Sequence, residues 1–315
     1  MLKLYLAVPC YNEQEVLPET SRRLGEKLAA LTAAGKISDE SRVIFVDDGS
    51  RDRTWELISG LAAQDKRFGG VKLSRNRGHQ NALLAGLTTA YENHCDAVIS
   101  LDADLQDDVN AIDAMVDSCL AGHDVVYGVR SSRASDTGFK RNTAQAFYRF
   151  MAMLGVELVY NHADYRLLTY RALEGLLQFS EVNLFLRGIV PLVGYPSDTV
   201  TYVRAERFAG ESKYPLRKML AFALEGITSF SVRPVRLVAA CGAAVLGVSA
   251  LVLLILLILR LCGQGISGLA LAVSSLWMLG GLQLLGIGTV GEYVGRVYQE
   301  TKHRPRFIIE KTLLR

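Results

Sequence analysis

The sequence predicts an α/β fold: a mostly parallel sheet domain, then an interfacial helix and a two-helix transmembrane hairpin. Three observations predict it. Short apolar runs alternate with stretches of helical spacing over residues 1–130. Acidic and turn-forming residues collect where those runs end, and two long uncharged runs lie towards the C-terminus.

The first strand is "KLYLAVP". The opening "MLKLYLAVPCYNE" meets Asn12 and Glu13 too soon to be a signal peptide. Glu13–Ala34 has helical spacing with its charges on one face. "SRVIFVDDGS" is an apolar strand ending in acid and glycine, and Thr54–Gln64 is a helix. "GVKLSRN" is a short strand, Gln80–Asn93 a helix, and "DAVISLDAD" the next strand. Continuous apolar runs joined by helices predict a Rossmann-like parallel sheet covered on both faces. The polar clusters Tyr11-Asn12-Glu13, Asp47-Asp48 and Asp102/Asp104 then share the carboxyl edge of the strands, where open α/β sheets bind ligands.

Residues 131–215 are less regular. "YGVRSSR" follows a strand, and "HADYRLLTY" places Asp164 beside Arg166. "RAERFAGESKYP" reads as a mobile basic loop able to close on an anionic substrate. Leu216–Phe230 has an apolar face opposite Arg217, Lys218 and Glu225, which suits a helix lying on a bilayer.

Leu237–Leu259 and Leu261–Gly291 carry no charge, and only Arg260 separates them. A span needs about 20 apolar residues, so spans are expected at about 236–259 and 269–291, with Cys262–Gly268 as the turn. The expected division is 1–215 catalytic, 216–235 juxtamembrane, 236–291 spanning and 292–315 a basic tail. Net charge is +3, but its placement tells more. Arg217, Lys218, Arg233 and Arg236 precede the first span, and Arg296, Lys302, Arg304, Arg306, Lys311 and Arg315 follow the second. Basic flanks stay cytoplasmic, so the catalytic domain and both termini are expected inside a plasma membrane. These residues border lipid without interleaved aromatics, which argues against nucleic acid. The small-residue stretch "GGLQLLGIGTVGEYVG" lets helices approach closely and suits a homo-oligomer. The five cysteines show no metal spacing and read as small apolar residues in a reducing compartment.

Acid pooled at one sheet edge repels itself unless a cation is present. Oxygen ligands without His or Cys point to Mg²⁺ or Mn²⁺, held by one or two carboxylates plus substrate phosphates. A chain of average composition, about 25% charged, yields roughly one D-x-D by chance at this length, so the motif means something only in this setting. No glycine-rich dinucleotide or P-loop signature is present.

"VPCYNEQEVLP", "VDDGSRDRT", "NRGHQNALLAG", "LDADLQD", "GVRSSR", "DYRLL" and "RFAGESKY" follow in that order. Together they resemble family 2 glycosyltransferases of the polyprenyl-phosphate class. That class includes dolichol-phosphate mannose synthases and, more closely similar, bacterial bactoprenol-phosphate glucosyltransferases of O-antigen modification. The resemblance implies a GT-A fold and inverting transfer of a hexose from a nucleotide-sugar to undecaprenyl or another polyprenyl phosphate. UDP-glucose is the expected donor, with GDP-mannose, UDP-GlcNAc or an aminoarabinose derivative as rivals. A downstream flippase or glycosyltransferase would use the product.

The same resemblance places Pro9, Tyr11 and Glu13 in the nucleotide pocket and Asp47 and Asp48 against base or ribose. Asp102, Ala103, Asp104 and Gln106 belong to the diphosphate site, with Asp102, Asp104 and Gln106 holding the metal. Arg130, Arg207 and Lys213 bind phosphates, and Asp164 lies on the acceptor side beside Arg166. Asp104, Asp164, Arg130 and Lys213 form the expected catalytic set. A phosphate monoester with a second pKa near ~6 is already an anionic nucleophile, so orienting the acceptor or positioning Arg166 suits Asp164 at least as well as acting as a base. Two rival readings are a processive polysaccharide synthase, which would need a Q-x-x-R-W motif absent here, and a non-catalytic membrane subunit, which would tolerate loss of the acids.

Overall fold

A computed structural model describes residues 1–130, 162–180, 185–203, 268–302 and 304–314. Five strands alternating with four helices open the chain: β1 (Leu4–Cys10), α1 (Leu17–Ala33), β2 (Arg42–Asp47), α2 (Thr54–Gln64), β3 (Phe68–Leu73), α3 (His79–Glu92), β4 (Ala97–Ser100), α4 (Ala111–Leu120) and β5 (Val125–Arg130). Then come β6 (His162–Thr169), α5 (Tyr170–Leu177), α6 (Leu186–Ile189), a 3₁₀ turn over Val190–Val193, β7 (Ser197–Tyr202), α7 (Gly268–Thr301) and β8 (Ile309–Leu313).

The eight strands form one sheet in the order β7-β5-β6-β4-β1-β2-β3-β8. β1 lies parallel to β2 and β4, β2 to β3, and β5 to β7. β6 runs antiparallel between β4 and β5, and β8 antiparallel along β3. The sheet is therefore mixed, with the parallel run β4-β1-β2-β3 at its centre and the parallel pair β5–β7 at one edge.

Strand alternation builds both core layers. Leu4, Leu6, Val8 and Cys10 of β1 join Val43 and Phe45 under α1, while Tyr5 and Ala7 join Ile44 and Val46 under α3. β1 and β2 are buried on both faces, which is why their sequences are near-continuous apolar runs. The crossover helices return the chain to the same edge, so β1, β2 and β4 all end at one rim.

Several expected boundaries move. The first helix starts at Leu17, because Glu13 closes a turn through its carbonyl with Val16 and Leu17, and Pro18 opens the helix. β4 stops at Ser100, so Asp102 and Asp104 stand on the loop beyond it. "YGVR" belongs to β5, and "HADYRLLT" is a strand, not an irregular stretch. Nor is 292–315 simply a tail. α7 continues to Thr301, and β8 pairs with the otherwise bare edge of β3, where Ser74 N–H also donates to the Ile308 carbonyl at 3.0 Å.

The basic loop at 204–215, the interfacial helix at 216–235 and the first expected span lie outside the described residues, as do many side chains of α7. Among the described residues, no helix is long and apolar enough to cross a membrane.

Candidate active site

The carboxyl rim is built by loops that stitch one strand end to the next. After β1, Asn12 takes a left-handed φ of 53° and its N–H donates to Ser50 Oγ at 3.0 Å. Arg51 N–H donates back to Asn12 Oδ1 at 2.9 Å, and Glu13 N–H donates to Thr54 Oγ1 at 2.9 Å. Tyr11 and Glu13 are thus fixed, half-buried, beside the "DDGS" turn, and Pro9 lies buried within β1 itself.

The two acids of that turn do different work. Asp48 accepts N–H bonds from Arg77 at 2.6 Å and Gly78 at 2.9 Å, so both its oxygens are committed to the loop entering α3. Asp47 accepts from Ser50 N–H at 3.2 Å, while its Oδ2 is buried without a protein partner. Burial pushes both carboxyls upward. Gly49 lets the loops meet: its φ is +66°, and a Cβ there would lie 2.6 Å from Asn76 N. Of the two acids expected near base or ribose, Asp47 carries the unpaired oxygen.

The acid loop after β4 is pinned from below. Thr20 Oγ1 donates to the Ala103 carbonyl at 2.8 Å, and Tyr165 Oη donates to the Asp108 carbonyl at 3.0 Å. Buried Leu105 is held at φ 58°, a conformation that costs a non-glycine residue about 1–2 kcal/mol. Gln106 N–H closes back on Asp104 Oδ1 at 3.2 Å. Tyr202, the last residue of β7, donates to buried Asp107 at 2.5 Å and accepts from Arg130 Nε at 3.4 Å. Burial, then the charge of Asp102, push the Asp107 carboxyl up to about 6. The tie joins the acid loop to Arg130 and to the strand leading into the 204–215 segment.

Asp102, Asp104 and Gln106 are half-buried on this loop. Among the described residues no three His, Cys, Asp or Glu side chains cluster closely enough to hold a metal. Two carboxylates and an amide still fit Mg²⁺ or Mn²⁺, which complete their shell with water and substrate phosphate.

Asp164 and Arg166 leave β6 on the same face, two residues apart. Arg166 Nη2 donates to Asp164 Oδ1 at 2.5 Å, and Arg187 donates from Nε at 3.2 Å and from Nη2 at 3.0 Å. Gln80 Nε2 adds a bond at 3.3 Å. Burial pushes the Asp164 carboxyl up, but Arg187 and Arg166 outweigh it and hold it well below the usual carboxylate range. Such a carboxylate is a poor proton acceptor at neutral pH. Arg166, 2% exposed, also donates to the Leu186 carbonyl at 3.2 Å, and Leu186 N–H donates to Gln80 Oε1 at 3.2 Å.

Asp47, Asp48, Asp102, Asp104, Arg130, Asp164 and Arg166 therefore stand along one rim. Arg207 and Lys213 lie outside the described residues. Sequence reasoning missed His79, Gln80 and Arg187, which surround Asp164, and Tyr202, which holds Asp107. The "NRGHQ" block carried the signal for the first two, because a polar pair at the start of the helix that follows a strand and its loop stands near the rim. Nothing local flags Arg187, 23 residues from Asp164.

The glycosyl transferase family 2 profile matches residues 5–177. A protein named uncharacterized glycosyltransferase YkoT, from Bacillus subtilis (strain 168), is 50% identical over 307 residues, covering 98% of this chain and 91% of that one. A bactoprenol glucosyl transferase of Shigella phage SfV is 39% identical over 314 residues, covering 98% of each. Among solved structures, glucosyl-3-phosphoglycerate synthase of Mycobacterium tuberculosis aligns with a TM-score of 0.47 at 18% identity, over 72% of this chain and 78% of that one. With the profile spanning more than half the chain and relatives matching nearly end to end, this protein belongs to glycosyl transferase family 2 and is a glycosyltransferase built on a GT-A-type mixed α/β sheet.

Proposed function

We propose that the protein transfers a hexose, with UDP-glucose as donor, onto undecaprenyl or a related polyprenyl phosphate, inverting the anomeric centre and using Mg²⁺ or Mn²⁺. The observation that carries this reading is the 39% identity to a bactoprenol glucosyl transferase, which runs through 98% of both chains. The rim geometry supports it. Asp47 and the Tyr11–Glu13 turn would bound the nucleoside, and Asp102, Asp104 and Gln106 would hold the ion. When bound, the ion offsets the charge developing on the leaving diphosphate. Arg130, tied through Tyr202 to the acid loop, adds positive charge on the same side, and Arg207 and Lys213 are proposed to complete it. The acceptor phosphate needs no base, so Asp164 acts by holding Arg166 and Arg187 in place.

Support for a bilayer anchor comes from the sequence and from one pairing. The sequence of residues 269–291 carries no charge, and a span needs about 20 apolar residues. β8 rejoins the catalytic sheet after α7. The chain would then cross an even number of times before returning, as a hairpin requires. Reporter fusions before Leu2 and after Arg315 should both read cytoplasmic, and one within 263–268 should read the opposite side. A C-terminal reporter on the far side would refute the hairpin.

The direct test of function incubates membranes containing the protein with polyprenyl phosphate and a panel of nucleotide-sugars. A lipid-linked glucose product from UDP-glucose is expected. Product only from GDP-mannose, UDP-GlcNAc or an aminoarabinose donor would reassign the sugar, and no lipid product from any donor would overturn the reading.

A further inference from the structure

We propose that His79 is the positioning residue of the acid loop: its imidazole holds Asp102 in the orientation that receives the divalent ion. The inference rests on the metal-dependent reading above and goes beyond it, because no expected ligand set contains a histidine.

The placement of His79 is built, not incidental. It is the first residue of α3, following Gly78, whose φ of +86° turns the chain into the helix. Asp48 grips the two residues before it through the Arg77 and Gly78 N–H groups. The acid at the end of β2 thus sets where the imidazole stands. From there Nε2 lies 3.5 Å from Asp102 Oδ1 and 3.8 Å from Asp164 Oδ2.

Donor counting decides which acid the imidazole serves. Asp164 already receives four N–H groups, from Arg166 Nη2, Arg187 Nε, Arg187 Nη2 and Gln80 Nε2. A carboxylate offers about four lone-pair sites, so Asp164 is saturated. Asp102 has His79 as its one ion-pair partner among the described residues, and its side chain is 40% exposed. An Nε2–H is therefore best spent on Asp102. One oxygen of that acid is held towards α3 and the other stays available.

Groups that orient a ligating side chain govern metal affinity as well as rate, and losing one costs about 10–100-fold. His79 would also transmit order. The turn that positions Asp47 fixes α3 through Asp48, and α3 fixes Asp102, so nucleoside and diphosphate subsites are assembled by one chain of contacts.

The test is Mn²⁺ binding to the purified full-length protein in detergent, with and without UDP, read from the free-ion paramagnetic resonance signal. His79→Ala should bind Mn²⁺ about 10–100-fold more weakly with an unchanged melting temperature in metal-free buffer. His79→Gln, whose amide nitrogen can replace Nε2, should recover most of the affinity. Wild-type affinity in His79→Ala overturns the proposal. So does weak binding in both variants accompanied by a lowered melting temperature, which would make His79 a packing residue. Failure of the wild-type protein to bind Mn²⁺ even with UDP would instead sink the metal-dependent reading on which the proposal stands.

Discussion

Asp104→Asn is expected to reduce turnover by about 10³-fold while leaving the fold intact. Removing one preorganised charge-stabilising group from an active site costs about 10²–10³ in rate, and under the proposed function the lost charge would also weaken the hold on the divalent ion. The fold should survive because residues other than Asp104 anchor the loop. It is half-buried on a loop, and its Oδ1 accepts the Gln106 N–H, which an asparagine carbonyl oxygen can also do. The loop itself is held by other contacts, namely Thr20 on Ala103, Tyr165 on Asp108 and Tyr202 on Asp107. Chelation of the wild-type enzyme should mimic the substitution, and added Mn²⁺ should restore the wild type alone. Near-normal turnover in Asp104→Asn, with a melting curve matching wild type, would remove this acid from the reaction.

How much of this was legible in the sequence depends on the range of the interactions. β1, β2 and β4 announce themselves because both faces are buried and their central positions are apolar. Their acidic ends follow, since charge cannot continue into a two-layer core. Asp164 and Arg166 were legible as neighbours in the sequence, but the strand that puts them on one face was not, because the segment reads as irregular. Nor was β8. "IEKTL" carries Glu310 and Lys311 and reads as solvated tail, and it becomes a strand only because β3 offers an unpaired edge, where Lys72 meets Glu310 at 3.1 Å. The insertion of β6 between β4 and β5 was equally hidden, because local propensity does not encode strand order. Arg187 and Tyr202 come from distant segments, and their roles arise only once the sheet brings those segments to the rim.

Asp164→Ala is expected to destabilise the protein by about 3–5 kcal/mol, the range for breaking a buried ion pair by removing one partner. The reason lies in what remains. Arg166 would stay 2% exposed with its charge uncompensated, and Arg187 would lose both bonds it makes to the same carboxylate. A melting temperature lower by roughly 10 °C follows if about 3 °C accompanies each kcal/mol in a domain of this size. The pH dependence has a definite sign. Asp164 is held below its ordinary value in the folded state, so its contribution is complete above the unfolded carboxylate pKa near ~4. It is lost progressively as the pH falls below that point. The wild-type melting temperature should therefore drop below about pH 4 more steeply than that of Asp164→Ala. If Asp164→Ala instead melts like wild type and loses only turnover, the carboxylate acts on the substrate directly. A general base would also leave an acid limb in the pH–rate profile, and a carboxylate bound by two arginines should leave none at neutral pH.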